Sequence, residues 1–417
     1  MIWISFGTTQ GNKRRRLYYR FRRASVARSS TPTTVLQTST MPSSQPPLAA
    51  PRELIDDIDN RILDLLQQRN RVVGDVIATK IRQSLPIFDA AREADKIVRF
   101  RAQAVERGLD AEWAEDFLRM IMGSSRDRQS HGDFPRAGSQ PRDVLLVGGA
   151  GGMGSLYRRF LERSGHRVRV LDRDDWPRVA QLAAGIDLAI VAVPIDVTAE
   201  VICRLAPHLP ADAVLADFTS NKNGLLELMR QVHPGSVLSL HPLHGPDAPN
   251  LAKQLMLACP GRDPQRSQWL LEQCRLWGMR IKIIEADQHD RVMHLVQGLR
   301  HFTTFLHGSF LRQCNLHPED ILDYSSPVYR MELMMTARMF AQDPQLYADI
   351  VLANAERRSL LLEFLEHHRA LARIIEDNDR EAFITEFRHI SMFFADFAER
   401  ARRESGYLIY RLSERFA

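Results

Sequence analysis

From residue 51 the apolar positions recur at spacings of three and four: Ile55, Ile58, Ile62, Leu65, Leu66, Val73, Val76 and Ile77. That is the periodicity of one helix face. Pro86, in SLPIF (84–88), stops the helix. A second helical run is expected over about 90 to 107 and a third, beyond Gly108, over about 111 to 129. Three helices make a thin core, so residues 51–130 are expected to dimerise or dock. Residues 131–141, rich in Gly, Pro and polar side chains, read as a linker.

The period changes at Val144. VLLVGG is a short apolar strand, Met153 to Ser164 a helix and RVRVLD (167–172) a second strand. Further strands fit DLAIVAVP (187–194), AVLADF (213–218), SVLSLHP (236–242), QLMLACP (254–260) and MRIKII (279–284). Strands alternating with helices predict a largely parallel, doubly wound α/β domain of Rossmann type over 142–285. After about 286 the pattern is helical to residue 417. One stripe there carries Leu361, Leu362, Leu365, Ile374 and Ile375, another Phe383, Phe387, Phe393, Phe394 and Phe397, read as helix packing at a subunit interface. The chain is thus expected to be multidomain: all-α, then α/β, then all-α.

Composition narrows the function classes. At 44% hydrophobic and 26% charged the chain is globular, and no apolar run approaches a membrane span. The net charge of +5 suggests nucleic acid until it is located. The first fifty residues hold eight of the 56 Lys and Arg and no acid, which leaves 48 basic residues against 51 acidic in the rest. The remainder offers no support for a nucleic-acid face. Residues 1–50 read as a Ser/Thr/Pro-rich tail outside the fold: an organelle leader, or an extension upstream of a start near Met41. Four scattered cysteines, Cys203, Cys259, Cys274 and Cys314, fit a reducing, cytoplasmic setting and are expected in the core, with no metal site.

Gly149-Ala150-Gly151-Gly152-Met153-Gly154 fits GxGxxG, directly after a strand and opening a helix. Gly149 is assigned the tight turn, Gly151 the approach to a pyrophosphate and Gly154 the close helix–strand contact. Asp172, ending the second strand, is placed to accept from a ribose 2′-OH, which favours NAD; Arg173 leaves NADP open. Three polar groups collect in loops at the carboxyl ends of strands: Ser220 and Lys222 in ADFTSNKNG, and His241 in LHPLHGPD. A histidine there is a plausible general base, although a lone histidine more often has a structural role.

DFTSNKNG, HPLHGPD, QGLRHFTTF, SSPVYRMEL and FAQDPQLYADI together resemble the prephenate dehydrogenase family, and within it the bifunctional chorismate mutase/prephenate dehydrogenases, over roughly 51 to 417. The resemblance implies NAD-dependent oxidative decarboxylation of prephenate, with His241 as base and Ser220 near the ring hydroxyl. It implies Arg338 on a substrate carboxylate, and Arg330, Lys222 and His301 around the pocket. As bare sequence, Arg330 and Arg338 lie eight apart on a helix and fit solvated charges equally well. The sequence departs from the family at HPLH, where HPMF is common, so His244 is expected to change pocket polarity or titrate beside His241.

The N-terminal helices resemble the small all-helical chorismate mutases. Arg69 and Lys80, eleven apart, share the face of Ile55 and Ile62, and two cations on an apolar stripe are costly unless an anion such as chorismate sits there. The resemblance implies a site lined by Arg52 (from a partner subunit), Arg69, Lys80, Asp89, Arg92, Glu93, Ser125 and Gln129, with Lys80 and Gln129 near the breaking ether oxygen. It also implies a homodimer and tyrosine as feedback inhibitor. Two other readings stay open: an NAD-dependent dehydrogenase with an inactive helical appendage, and an NAD-sensing module without turnover.

Overall fold

The computed structural model describes residues 48–129, 132–315 and 317–416, so the tail reading lies, up to residue 47, outside the described residues. The expected N-terminal helices are α1 (Ala49–Arg82), α2 (Ala90–Glu106) and α3 (Ala111–Gln129). Asp89 caps α2 by accepting from the Arg92 backbone N–H at 3.0 Å. The core here is thin: Ile97, Leu118 and Met122 with Phe100 against them. No residue of α1 is buried, and Ile55 is 55% exposed, Ile58 44% and Ile62 40%.

The α/β region runs β1 (Asp143–Val147), α4 (Gly152–Arg163), β2 (Arg167–Leu171), α5 (Val179–Ala183), β3 (Leu188–Val191), α6 (Ile195–Leu205), β4 (Val214–Asp217), α7 (Asn223–Val232), β5 (Val237–Pro242), β6 (Leu255–Pro260), α8 (Pro264–Leu276) and β7 (Arg280–Ile283). The sheet order is β2-β1-β3-β4-β5-β6-β7. Every neighbouring pair is parallel except β5–β6, where His241 faces Leu257. A loop without a crossover helix joins those two strands, which only an antiparallel pair permits. Val144, Leu146, Leu188 and Ile190 belong to one core, and Leu145, Val147, Ala189 and Val191 to the other. Both faces are covered, which is why these strands read as unbroken apolar runs.

The helical remainder is α9 (Ala286–Met293), a π-helical turn (His294–Leu299), α10 (Arg300–Cys314), α11 (Pro318–Leu322), α12 (Pro327–Phe340), α13 (Pro344–Val351), α14 (Ala355–Glu376) and α15 (Arg380–Phe416), the last broken at Ala395. Packing groups Leu48–His301 with Asp343–Arg369 in one unit, and Phe302–Gln342 with the described residues from Ala370 on in a second. The residues from 286 on are shared between the two units. Their first part stays with the sheet because Ile284 and Met293 enter the core that α6, α7 and β6 share. In the second unit, Phe383, Phe387, Phe393, Phe394 and Phe397 of α15 are all exposed. That unit also holds a cavity of about 730 Å³ lined by Phe305, Leu333, Phe340 and neighbours, among them none of the residues nominated from sequence. One expectation is corrected: Cys259 and Cys274 are core, but Cys203, on α6, is exposed and Cys314 half-buried.

Candidate active sites

The glycine-rich loop connects β1 to α4. The left-handed residue is Gly148, at φ +80°, and not Gly149, to which the tight turn was assigned. A Cβ on Gly154 would lie 2.1 Å from the Gly148 carbonyl oxygen, and one on Gly149 would lie 2.8 Å from Val170. Gly151 N–H donates to Gly148 O at 3.0 Å and Gly151 caps α4, whose first N–H groups face outward for a phosphate. Asp172 directly follows β2 and opens the turn beyond it, its backbone N–H donating to Asp175 Oδ2 at 3.0 Å. This cradle, which only glycine fills, fits a dinucleotide pyrophosphate.

Pro246, in the loop after β5, lies 3.0 Å from where a Gly152 Cβ would be, so the His241 loop abuts the glycine loop. His241 is 5% exposed. Its Nδ1 is 2.9 Å from His289 Nε2 and its Nε2 is 3.1 Å from Gln297 Nε2. Burial first, then the charges of Lys222, His289 and Arg357, hold its pKa well below the usual histidine range. Neutral imidazole is the form a base requires. Ser220 is buried in the adjoining loop. Nearby, Asn221 Oδ1 and Gln297 Oε1 are buried without a hydrogen-bond partner. Lys222 is wholly buried, donating to Asp217 Oδ2 at 2.8 Å and Leu240 O at 2.7 Å. The catalytic assignment of Lys222 therefore meets an ammonium already engaged with the strand ends. His301 packs edge-on to Tyr347 at 5.0 Å, its pKa lowered by burial and then by Arg300 and Arg357. His244 Nε2 lies 3.1 Å from Tyr157 Oη and its Nδ1 donates to Gly245 O, so this residue, expected to change pocket polarity or titrate beside His241, is turned toward α4.

In the helical segment, Arg69 Nη1 donates to Ser125 Oγ at 2.6 Å, joining α1 to α3. Lys80 Nζ donates to Ile87 O at 2.7 Å, and burial lowers the pKa of both cations. Gln129 is buried with Oε1 unpartnered. Arg52, Asp89 and Arg92 are exposed. Glu93 is shared between Arg126 and Lys253, the latter at 2.9 Å, so it ties the helices to the sheet unit's loop before β6. Lys96, absent from the sequence reading, lies within electrostatic reach of Arg69 and Arg92, its pKa lowered by burial and then by these charges. Its spacing of four from Arg92 was the available signal.

Residues 51–130 match the family model for chorismate mutase type II, 160–277 that for the prephenate dehydrogenase nucleotide-binding domain, and 285–389 that for the prephenate dehydrogenase dimerization domain. A T-protein of Enterobacter agglomerans is 40% identical over 362 residues, covering 87% of this chain and 97% of its own length. The chain belongs to the T-protein family. A T-protein of Haemophilus influenzae is 37% identical over 363 residues, with 87% and 96% covered. The crystal structure of prephenate dehydrogenase from Aquifex aeolicus with hydroxyphenyl propionate and NAD+ shares the fold, at TM-score 0.50 and 20% identity over 61% of this chain and 97% of that one.

The first unit carries Ser220, Lys222, His241, His301 and the glycine loop, with Lys222 bearing electrostatically on His241. The second unit carries Arg330 and Arg338 on α12, where Arg330 donates to Leu322 O at 3.0 Å and Arg338 is exposed. His289 and Asp290 lie outside every motif named from sequence, and Gln297, though it opens QGLRHFTTF, was not assigned a role, because no motif says which distant side chain it will meet. A π-turn is itself a frequent companion of functional sites.

Proposed function

We propose that His241 is the base that removes the ring-hydroxyl proton of prephenate. The observation that carries this is a neutral, buried imidazole at the carboxyl end of β5, against the loop that fits the pyrophosphate. The family joins two enzymes, and this chain is both a chorismate mutase and an NAD-dependent prephenate dehydrogenase of tyrosine biosynthesis. NAD held by the glycine loop would supply the acceptor for the hydride of the hydroxyl-bearing ring carbon. As the O–H bond breaks, its proton passes to His241; the bond to the ring carboxylate then breaks, carbon dioxide leaves, the electron pair completes the aromatic ring, and the phenolate oxygen takes the proton back from His241 to give 4-hydroxyphenylpyruvate. Ser220 orients the hydroxyl and His301 borders the ring; guanidinium groups such as those of Arg338 and Arg330 suit carboxylates. Gly149, Gly151 and Gly154 with Asp172 hold the dinucleotide.

For the mutase, Arg69, Lys80, Arg92 and Lys96 make a cationic pocket for chorismate, with Ser125 fixing Arg69 and Gln129 and Lys80 at the ether oxygen. Asp89 and Glu93 position Arg92 and Arg126, and Arg52 enters from the partner subunit. The rearrangement is pericyclic, so placement and charge carry it.

Dimerisation through α1 and the α15 aromatic stripe is supported by their exposed apolar faces. Tyrosine, sharing the product's 4-hydroxyphenyl group, is the feedback inhibitor in this reading. Free thiols support a cytoplasmic setting, and among the described residues no helix is long and apolar enough to cross a membrane.

The test is NADH appearance on adding prephenate and, separately, chorismate loss without NAD. His241→Asn should abolish the first and spare the second. Substantial NADH formation by the variant would remove His241 from the role of base.

A further inference from the structure

We infer that His289 and Asp290 form with His241 a buried relay that fixes Nε2 of His241 as the proton-accepting nitrogen and shares the positive charge once the proton arrives. The inference rests on His241 being the base. His289 is wholly buried, with Nε2 2.9 Å from His241 Nδ1 and Nδ1 2.7 Å from Asp290 Oδ1. The Asp290 carboxylate is itself aimed by the Lys222 backbone N–H, at 3.0 and 3.3 Å to its two oxygens.

Proton directions follow from the end of the chain. An ionised carboxylate only accepts, so His289 Nδ1 donates to Asp290. Neutral His289 then has an acceptor at Nε2, which requires the proton of His241 to sit on Nδ1. The lone pair of His241 is left on Nε2, where Gln297 donates to it at 3.1 Å until a substrate hydroxyl takes its place. The orphaned Gln297 Oε1 is free to accept in that exchange.

Charge makes the same point. The fixed charges bearing on His241 from neighbouring elements are those of Lys222 and Arg357, and each disfavours a positive ring. Lys222 is paired with Asp217. Asp290 acts in the opposite sense, raising the pKa of Arg357 and of His294. His289 and Asp290 touch neither substrate nor cofactor and are positioning residues.

Asp290→Asn removes the charge and keeps an oxygen for the Lys222 N–H. The expected result is a fall in the dehydrogenase kcat of about tenfold to a hundredfold with KM little changed, and an acid limb of kcat/KM moved about one pH unit lower, because the ring becomes a weaker base. Mutase activity should be unaffected. The second measurement needs no substitution at the relay: imidazole 15N shifts, with His241 assigned by its loss in His241→Asn, should show Nδ1 protonated and Nε2 bare. A parental kcat and pH profile in Asp290→Asn, or a protonated Nε2 in the parent, would overturn the relay. If His241→Asn is inactive while Asp290→Asn behaves as the parent, the relay alone falls; if His241→Asn stays active, the base assignment falls with it.

Discussion

Lys222 Nζ lies 2.8 Å from Asp217 Oδ2, and both side chains are completely shut off from solvent. The same carboxylate accepts from the Thr219 N–H at 2.7 Å and from Ser239 Oγ, while the ammonium also holds Leu240 O, the residue before His241. The pair therefore sets the carboxyl ends of β4 and β5, and with them the base.

Breaking such a pair from one side strands a buried charge. Lys222→Met is expected to destabilise the chain by about 3–5 kcal/mol in urea unfolding. Lys222→Met combined with Asp217→Leu should recover much of that loss. A single variant as stable as the parent would show the pair to be dispensable.

The glycine loop is limited by backbone contact. In Gly154→Ala the new methyl would meet Gly148 O at 2.1 Å and Gly149 Cα at 2.8 Å, neither of which is a flexible side-chain end. NAD affinity, followed by titration, should fall at least tenfold while chorismate is still consumed. Gly74→Ala, with nothing within 4 Å of the added carbon, should leave NAD affinity unchanged.

Mild acid should weaken the sheet unit. Burial lowers the pKa of His166, His233 and His241, which the folded state keeps neutral. The unfolded chain takes up protons at these residues as pH falls below about 6.5, and the folded chain does not until lower pH. Their stabilisation is complete above that pH and is lost as pH falls towards the depressed folded values. Thermal midpoints measured from about pH 7.5 down to about pH 5.5 should therefore decline. A midpoint that holds steady or rises would contradict neutral burial of these rings.

The helix α1, the succession of strands and helices and the glycine loop were legible along the chain because each depends on neighbours a few residues away. Apolar period three to four, unbroken apolar runs on a two-faced sheet, and glycines between strand and helix are local consequences of backbone geometry. The motif also marked His241 and Ser220. What surrounds His241 was decided by tertiary packing: His289 is 48 residues away and Gln297 is 56. The same holds for the engaged ammonium of Lys222, for His244 turned to Tyr157, for Glu93 tied to Lys253 and for the left-handed turn at Gly148. A period tells which face of an element is buried and leaves open which side chain of another element it will meet. Hydrogen-bond partners and local field, and so which nitrogen of a ring carries the proton, are set only when distant segments are brought within about 3 Å of one another.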